Sequence, residues 1–273
     1  MLRFYNQGNT TMSIESTIVR TVCYEQPLNE PMRICLRIET LFQELRSQLC
    51  DNRDMTLSAL ITLLKIINVL DRPDIKSKIT QTLNQYALSL SQLSRFNQVD
   101  SVRLSTVLDK LDTMSHSLHN NNEKVAERLK NNHFLNQLRL QLTSPAGVCA
   151  HANSALRLWQ HQSKQDKVEQ LRQWSAHLQD IDTSAELILG LVRQSTTDEE
   201  VIATNGFYQQ TLNPSLPCEL ISLKINQDIE TYPEISAGKH RLTIRFMQPN
   251  YYQSGHAKQY SGNVPFSLSC CRL

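Results

Sequence analysis

TIVRTVCYEQPLNEPMRICLRIETLFQEL, residues 17–45, is the stretch on which the fold turns. Its first part, Thr17 to Tyr24, is β-branched and aromatic, which favours a strand. Pro27 interrupts that run. Asn29 is then a good helix N-cap, and Pro31 is tolerated in a first turn, so a helix is predicted from Asn29 to about Leu49. Ile34, Ile38, Leu41, Leu45 and Leu49 form its apolar stripe, with Arg33, Arg37, Thr40 and Glu44 on the opposite side. A lone strand is not stable, so the Thr17 segment must find partners elsewhere in the chain.

Downstream the helical period persists. A second helix is expected after Asp54, apolar on nearly every side from Leu57 to Leu70 and therefore central. Asp71-Arg72-Pro73 ends it. A third repeats Ile75, Ile79, Leu83, Tyr86 and Leu90, and a fourth after Asp100 repeats Leu104, Leu108, Leu111, Met114 and Leu118. A fifth is expected from about Glu123 to Leu142, before Pro145. Shorter helices follow over 154–162, 165–178 and 184–195.

After Asn205 the period changes to two. Ile221, Leu223 and Ile225 alternate with Ser222 and Lys224. Leu242, Ile244 and Phe246 alternate with arginine and threonine, and Phe266, Leu268 and Cys270 alternate with serine. These half-buried strands are the only candidates to pair with Thr17–Tyr24. The reading is therefore α+β: a mainly helical domain, 29–195, inserted between an N-terminal strand and C-terminal strands. Segments 17–28 and 196–273 form the antiparallel β-domain, in one sheet, and 1–16 is a disordered tail.

Composition is that of a globular protein, 40% hydrophobic and 20% charged, with a net charge of only +2. The distribution says more. From Arg128 to Gln165 there is no Asp or Glu, while Arg128, Lys130, Arg139, Arg157, Lys164 and three histidines fall there. A basic surface on a near-neutral protein suits an acidic or mixed-charge peptide better than a long polyanion. The seven cysteines contain no C-x-x-C pair and several sit in apolar patterns, as reduced thiols of the cytoplasm do. Adjacent Cys270 and Cys271 should face opposite ways, one into the core and one out. No run is long and apolar enough for a membrane span, and residues 1–12 lack the apolar core of a signal peptide.

Phosphate-loop, dinucleotide, zinc-protease and nucleophile-elbow motifs are all missing, which points away from an enzyme. Cys149 and His151 offer two potential metal ligands where zinc usually takes four, so neither metal nor cofactor is expected. Nucleic-acid binding through the basic helical face is the alternative. Arg33/Arg37 and Lys130/His133/Gln137 lack interleaved aromatics for stacking bases, which weighs against it.

Several ordered strings resemble the ZapD family of cell division proteins: YEQPLNEPMRICLRIETLFQEL (24–45), LRLQLTSPAG (138–147), LILGLVRQS (187–195), NGFYQQTL (205–212), YPEISAGKHRLTIRFM (232–247) and FSLSCC (266–271). Residues 1–20 and about 51–122 match poorly. The resemblance implies a cytoplasmic homodimer recruited to the division site at mid-cell, with a helical and a β-domain in each protomer. It further implies binding to the C-terminal tail of the tubulin-like protein FtsZ, bundling of its protofilaments and lowered GTPase activity. The family's basic patch maps onto Arg33, Arg37, Lys130, His133 and Arg157, with His133 standing where the family tends to place arginine.

Overall fold

The computed structural model describes residues 21–95, 100–120, 126–145, 147–149, 151, 153–226, 228–252 and 255–273. The expected strand is present as β1 (Thr21–Pro27), while its first residues, Thr17 to Arg20, and the expected tail lie outside the described residues. Helix α1 (Glu30–Cys50) starts where the N-cap signal placed it: the Asn29 side chain accepts from the Met32 amide at 2.9 Å. Its inward stripe, from Met32 to Leu45, is buried. Helix α2 (Thr56–Leu70) buries Ala59, Leu60, Leu63, Leu64, Ile66 and Ile67 and forms the centre of the helical core. Helices α3 (Ile75–Ser91) and α4 (Ser101–Asn120) follow as read.

The predicted fifth helix is two helices, α5 (Glu127–Asn131) and α6 (His133–Gln141). Asn132 breaks it: its backbone is extended (φ −70°, ψ 114°) and its side chain accepts from the Leu135 amide at 3.1 Å. Asparagine offers the backbone a local hydrogen bond that competes with helix continuation, and here the cap wins. Helices α7 (Ser154–Gln160), α8 (Lys164–Ala176) and α9 (Gln179–Gln194) complete the unit. Helix α9 begins five residues earlier than expected, and Asp182 is buried within that added turn.

Among the described residues the β region holds two sheets where one was expected. The first runs β1-β4-β8-β2, with β2 (Glu199–Ala203), β4 (Leu220–Asn226) and β8 (Val264–Cys271). The second runs β3-β6-β5, with β3 (Phe207–Thr211), β5 (Tyr232–Ala237) and β6 (Arg241–Gln248), and short β7 (Lys258–Gln259) also pairs with β6. All pairings are antiparallel. The turn Asn205-Gly206, at φ 52° and 68°, carries the chain from β2 into β3 and so from one sheet to the other. A Cβ on Gly206 would come within 2.2 Å of the Tyr260 carbonyl oxygen, so only glycine fits.

Strands β4 and β8 bury one face between the sheets and part of the other against the helices. Ile221, Leu223, Ile225, Val264, Phe266 and Leu268 enter the core between the sheets with Leu242, Ile244 and Phe246. Leu220 and Cys271, on the other face, belong to the helical core. Cys270 packs partly buried against the β core, so the cysteine pair does face opposite ways, but both members are packed. Polar ties reinforce the junction. Arg193 of α9 donates to both carboxylate oxygens of Glu25 on β1 (2.8 and 2.7 Å) and both of Glu39 on α1 (2.7 and 2.7 Å). The Tyr86 hydroxyl of α3 donates to Glu219, just before β4.

Asp182 accepts from Arg46 of α1 through one oxygen, while its other oxygen is buried without a partner. Burial, only partly offset by Arg46, pushes its carboxyl up to about 6. An unfolded aspartate titrates near ~3.9, so between these values the folded chain holds a proton that the unfolded chain releases. The stability contributed by this group therefore rises as pH falls through about 6 and levels off below about 4. Glu219, also raised by burial, acts in the same direction. We expect a higher melting temperature at pH 5 than at pH 7.5, with Asp182→Asn flattening the difference. Thermal unfolding that is equal at both pH values in wild type and variant would contradict this.

Candidate partner-binding surface

The outward stripe of α1 carries Arg33, Arg37 and Thr40, all exposed. Intrahelical pairing with Glu30 or Glu44 would be the ordinary fate of such arginines. Both acids are engaged elsewhere. Glu30 binds Arg72 (2.9 Å) and Lys78 (2.8 Å), and Glu44 accepts from Gln48 and Thr62, each at 3.1 Å. Among the described residues Arg33 and Arg37 have neither a hydrogen-bond nor an ion-pair partner.

Helix α6 lies against α2 through Arg139, which donates to Asn68 (3.3 Å) and Asp71 (3.0 Å). Lys130 of α5 reaches the same Asp71 at 2.5 Å, and its hydrogen bond is the main cause that holds this carboxyl below the usual aspartate range. Lys164 donates to the backbone carbonyls of Asp51 and Asn52. The acid-free stretch is thus partly neutralised from outside: Asp71, distant in sequence, takes two of its cations, and backbone oxygens take a third.

His133 opens α6 on its exposed side, in line with Gln137 and Leu140. Arg157 and Leu158 point outward from α7, while Leu156 and Trp159 point in. The Trp159 ring lies 6.2 Å from that of Phe134, which places α7 beside α6, and its indole donates to Gln170 at 2.9 Å. The five residues singled out from the sequence thus lie on α1, α5, α6 and α7. Four of them are exposed, and Lys130 is held in an ion pair.

One exposed cation escaped the sequence reading. Lys65 stands on α2 between buried Leu64 and Ile66. Its signal was available: it is the one charge between Thr56 and Leu70, and a lone lysine in an apolar helix marks its wet edge. Leu140 and Leu158, at 64% and 71% exposure, were also read as ordinary helix residues.

Cys149 Sγ lies 3.6 Å from His151 Nε2, and among the described residues no three His, Cys, Asp or Glu side chains gather as a metal site would need. Among the same residues no helix is long and apolar enough to cross a membrane.

A family model described as ZapD, cell division protein, matches residues 36–245. Cell division protein ZapD of Coxiella burnetii (strain RSA 493 / Nine Mile phase I) is 41% identical over 257 residues, covering 94% of this chain and 100% of that protein. The protein of the same name from Ralstonia pickettii (strain 12J) is 30% identical over 256 residues, covering 92% of this chain and 100% of its own length. That from Methylococcus capsulatus is 26% identical over 257 residues, covering 92% and 98%.

The geometry separates a structural cation from surface ones. Lys130→Ala should cost about 1 kcal/mol, because Asp71 loses one of its two ion-pair partners among the described residues, in a partly exposed pair. Arg37→Ala should stay within about 0.5 kcal/mol of wild type. Denaturant unfolding of the two variants measures both. A neutral Lys130→Ala beside a destabilised Arg37→Ala would exchange the two roles.

Proposed function

The chain belongs to the ZapD family of cell division proteins, and from that premise we propose that it acts by binding the C-terminal tail of FtsZ on its cationic helical face. The observation that carries this reading is the pair Arg33 and Arg37: exposed, without partners among the described residues, on a helix whose nearby acids are engaged elsewhere. An acidic segment that lands there need not displace an internal ion pair. In this proposal His133 and Arg157, exposed on α6 and α7, add charge to the same contact, and exposed Leu140 and Leu158 add apolar area. Lys130 contributes less, since Asp71 already holds its charge.

Tail binding by one protomer only decorates a filament. Cross-linking needs two sites, so the proposal includes a homodimer, in which a second tethered site binds at high effective concentration. Bundling protofilaments in this way would strengthen the division ring and lower FtsZ GTPase activity without catalysis by this chain, in the cytoplasm at mid-cell.

Charge reversal at Arg37 or Arg157 tests this. At an interface it replaces attraction with repulsion, for a loss of roughly tenfold or more in affinity. Arg37→Glu and Arg157→Glu should therefore keep the wild-type melting temperature and lose co-sedimentation with FtsZ polymers. Lys110→Glu, at an exposed site on α4, should pellet as wild type does. Wild-type co-sedimentation should also weaken as salt shortens the screening length, from about 10 Å at 0.1 M to about 3 Å at 1 M. Co-sedimentation that survives both arginine reversals would place the binding site elsewhere. A shift of random-sequence DNA by wild type, lost in the same variants, would favour the nucleic-acid alternative.

A further inference from the structure

We infer that Lys65 of α2 joins Arg33 and Arg37 of α1 in one cationic strip across the two helices, and that this strip takes the carboxylates of an acidic peptide segment. The inference rests on the tail-binding reading above and assigns it a residue on a second helix. Two contacts fix the register of α1 against α2: Glu44 with Thr62 near one end, and Glu30 with Arg72 near the other. The helices therefore run antiparallel. At about 1.5 Å per residue, Lys65 is about 4.5 Å along α2 from Thr62 and about 7.5 Å from Leu70, the last residue of the helix, two positions before Arg72. The first distance sets it level with Leu41, one turn of α1 from Arg37. Arg33 and Arg37 are themselves one turn apart, about 6 Å along the axis. Packed helices lie about 8–10 Å apart, so three flexible cations share a patch that a short peptide segment can cover.

The orientation of α2 supports this placement. Asn68, one turn on from Lys65, touches Arg139 of α6, and Thr62, one turn before it, touches α1. Lys65 is thus exposed on the ridge between those two neighbours, while Leu63, Leu64, Ile66 and Ile67 are buried.

The acids bordering the strip are engaged. Glu30 is held by Arg72 and Lys78, and Asp71 by Lys130 and Arg139. Glu44 lies at the far end of the α1 stripe, hydrogen-bonded to Gln48 and Thr62. Among the described residues Lys65, like the two arginines, has no hydrogen-bond or ion-pair partner. Carboxylates suit this arrangement because each can accept from an arginine fork and from an ammonium at once.

The test is fluorescence anisotropy with a labelled peptide of the C-terminal tail of FtsZ from the same bacterium, at low and high salt. Lys65→Met keeps the apolar stem and removes the charge. It should melt as wild type, bind about three- to tenfold more weakly and show a shallower salt dependence, while Lys65→Arg should bind as wild type. Arg37→Glu provides the reference for the tail-binding reading. Wild-type affinity in Lys65→Met, with binding lost in Arg37→Glu, would overturn the strip and leave that reading intact. Wild-type affinity in both would overturn both. Equal losses in Lys65→Met and Lys65→Arg would show that shape rather than charge matters, and would also overturn the strip.

Discussion

Strands β4 and β8 bury one face between the sheets and the Leu220 and Cys271 end of the other against the helices, and this double burial is the constraint on which the architecture depends. Residues of one parity fill the core between the sheets, and Leu220 and Cys271 of the other parity close the helical core. Arg193 adds a polar lock at the same seam. Its guanidinium satisfies Glu25 and Glu39 together, joining β1 to α1 on either side of the passage between them. The two carboxylates are mostly buried, at 17% and 13% exposure, and would repel each other without the arginine between them. Removing a partner from such a cluster costs far more than a surface pair contributes. The start of α1, which bears Arg33 and Arg37, is therefore anchored to the sheet as well as to its helical neighbours.

The economy of acids explains how a chain of net charge +2 presents a cationic face. Acids of the helical unit are spent on internal joints. Asp54 holds Lys167, Asp71 holds Lys130 and Arg139, Glu30 holds Arg72 and Lys78, and Asp182 holds Arg46. The cations left over on α1, α2 and α7 are those whose neighbours are already committed. Local charge, and with it the choice of an acidic partner, follows from which ion pairs the fold closes rather than from composition.

Much of this was legible in the sequence where one physical signal acted alone. The N-cap at Asn29, the apolar stripe of α1 and the period of two after Asn205 each had one reading, and α1, β4, β6 and β8 formed accordingly. Legibility failed where tertiary context decided. Asn132 sits in a helical pattern that its own cap interrupts. Residues 179–183 fell outside the expected helices, and Arg46, the partner of buried Asp182, lies too far away in sequence to be seen. Two sheets replaced one because strand alternation specifies a buried face but not what covers it. Among the binding candidates, exposure of Arg33 and Arg37 followed from helix phase, His133 and Arg157 came from the family resemblance, and the Lys130–Asp71 pair spans elements that no local pattern connects. Lys65 was missed because the apolar run around it was read only as a buried central helix.

The central claim is that one face of the helical unit, spanning α1, α2, α6 and α7, receives an acidic partner segment. Amide hydrogen exchange followed by mass spectrometry, with and without an FtsZ tail peptide, tests it most directly because it reads every element of the native chain at once. The account predicts slowed exchange in α1 and in the helices beside it, with the strands β3, β5 and β6 unchanged. Protection confined to those strands, or spread evenly over both regions with none concentrated on α1, would contradict it.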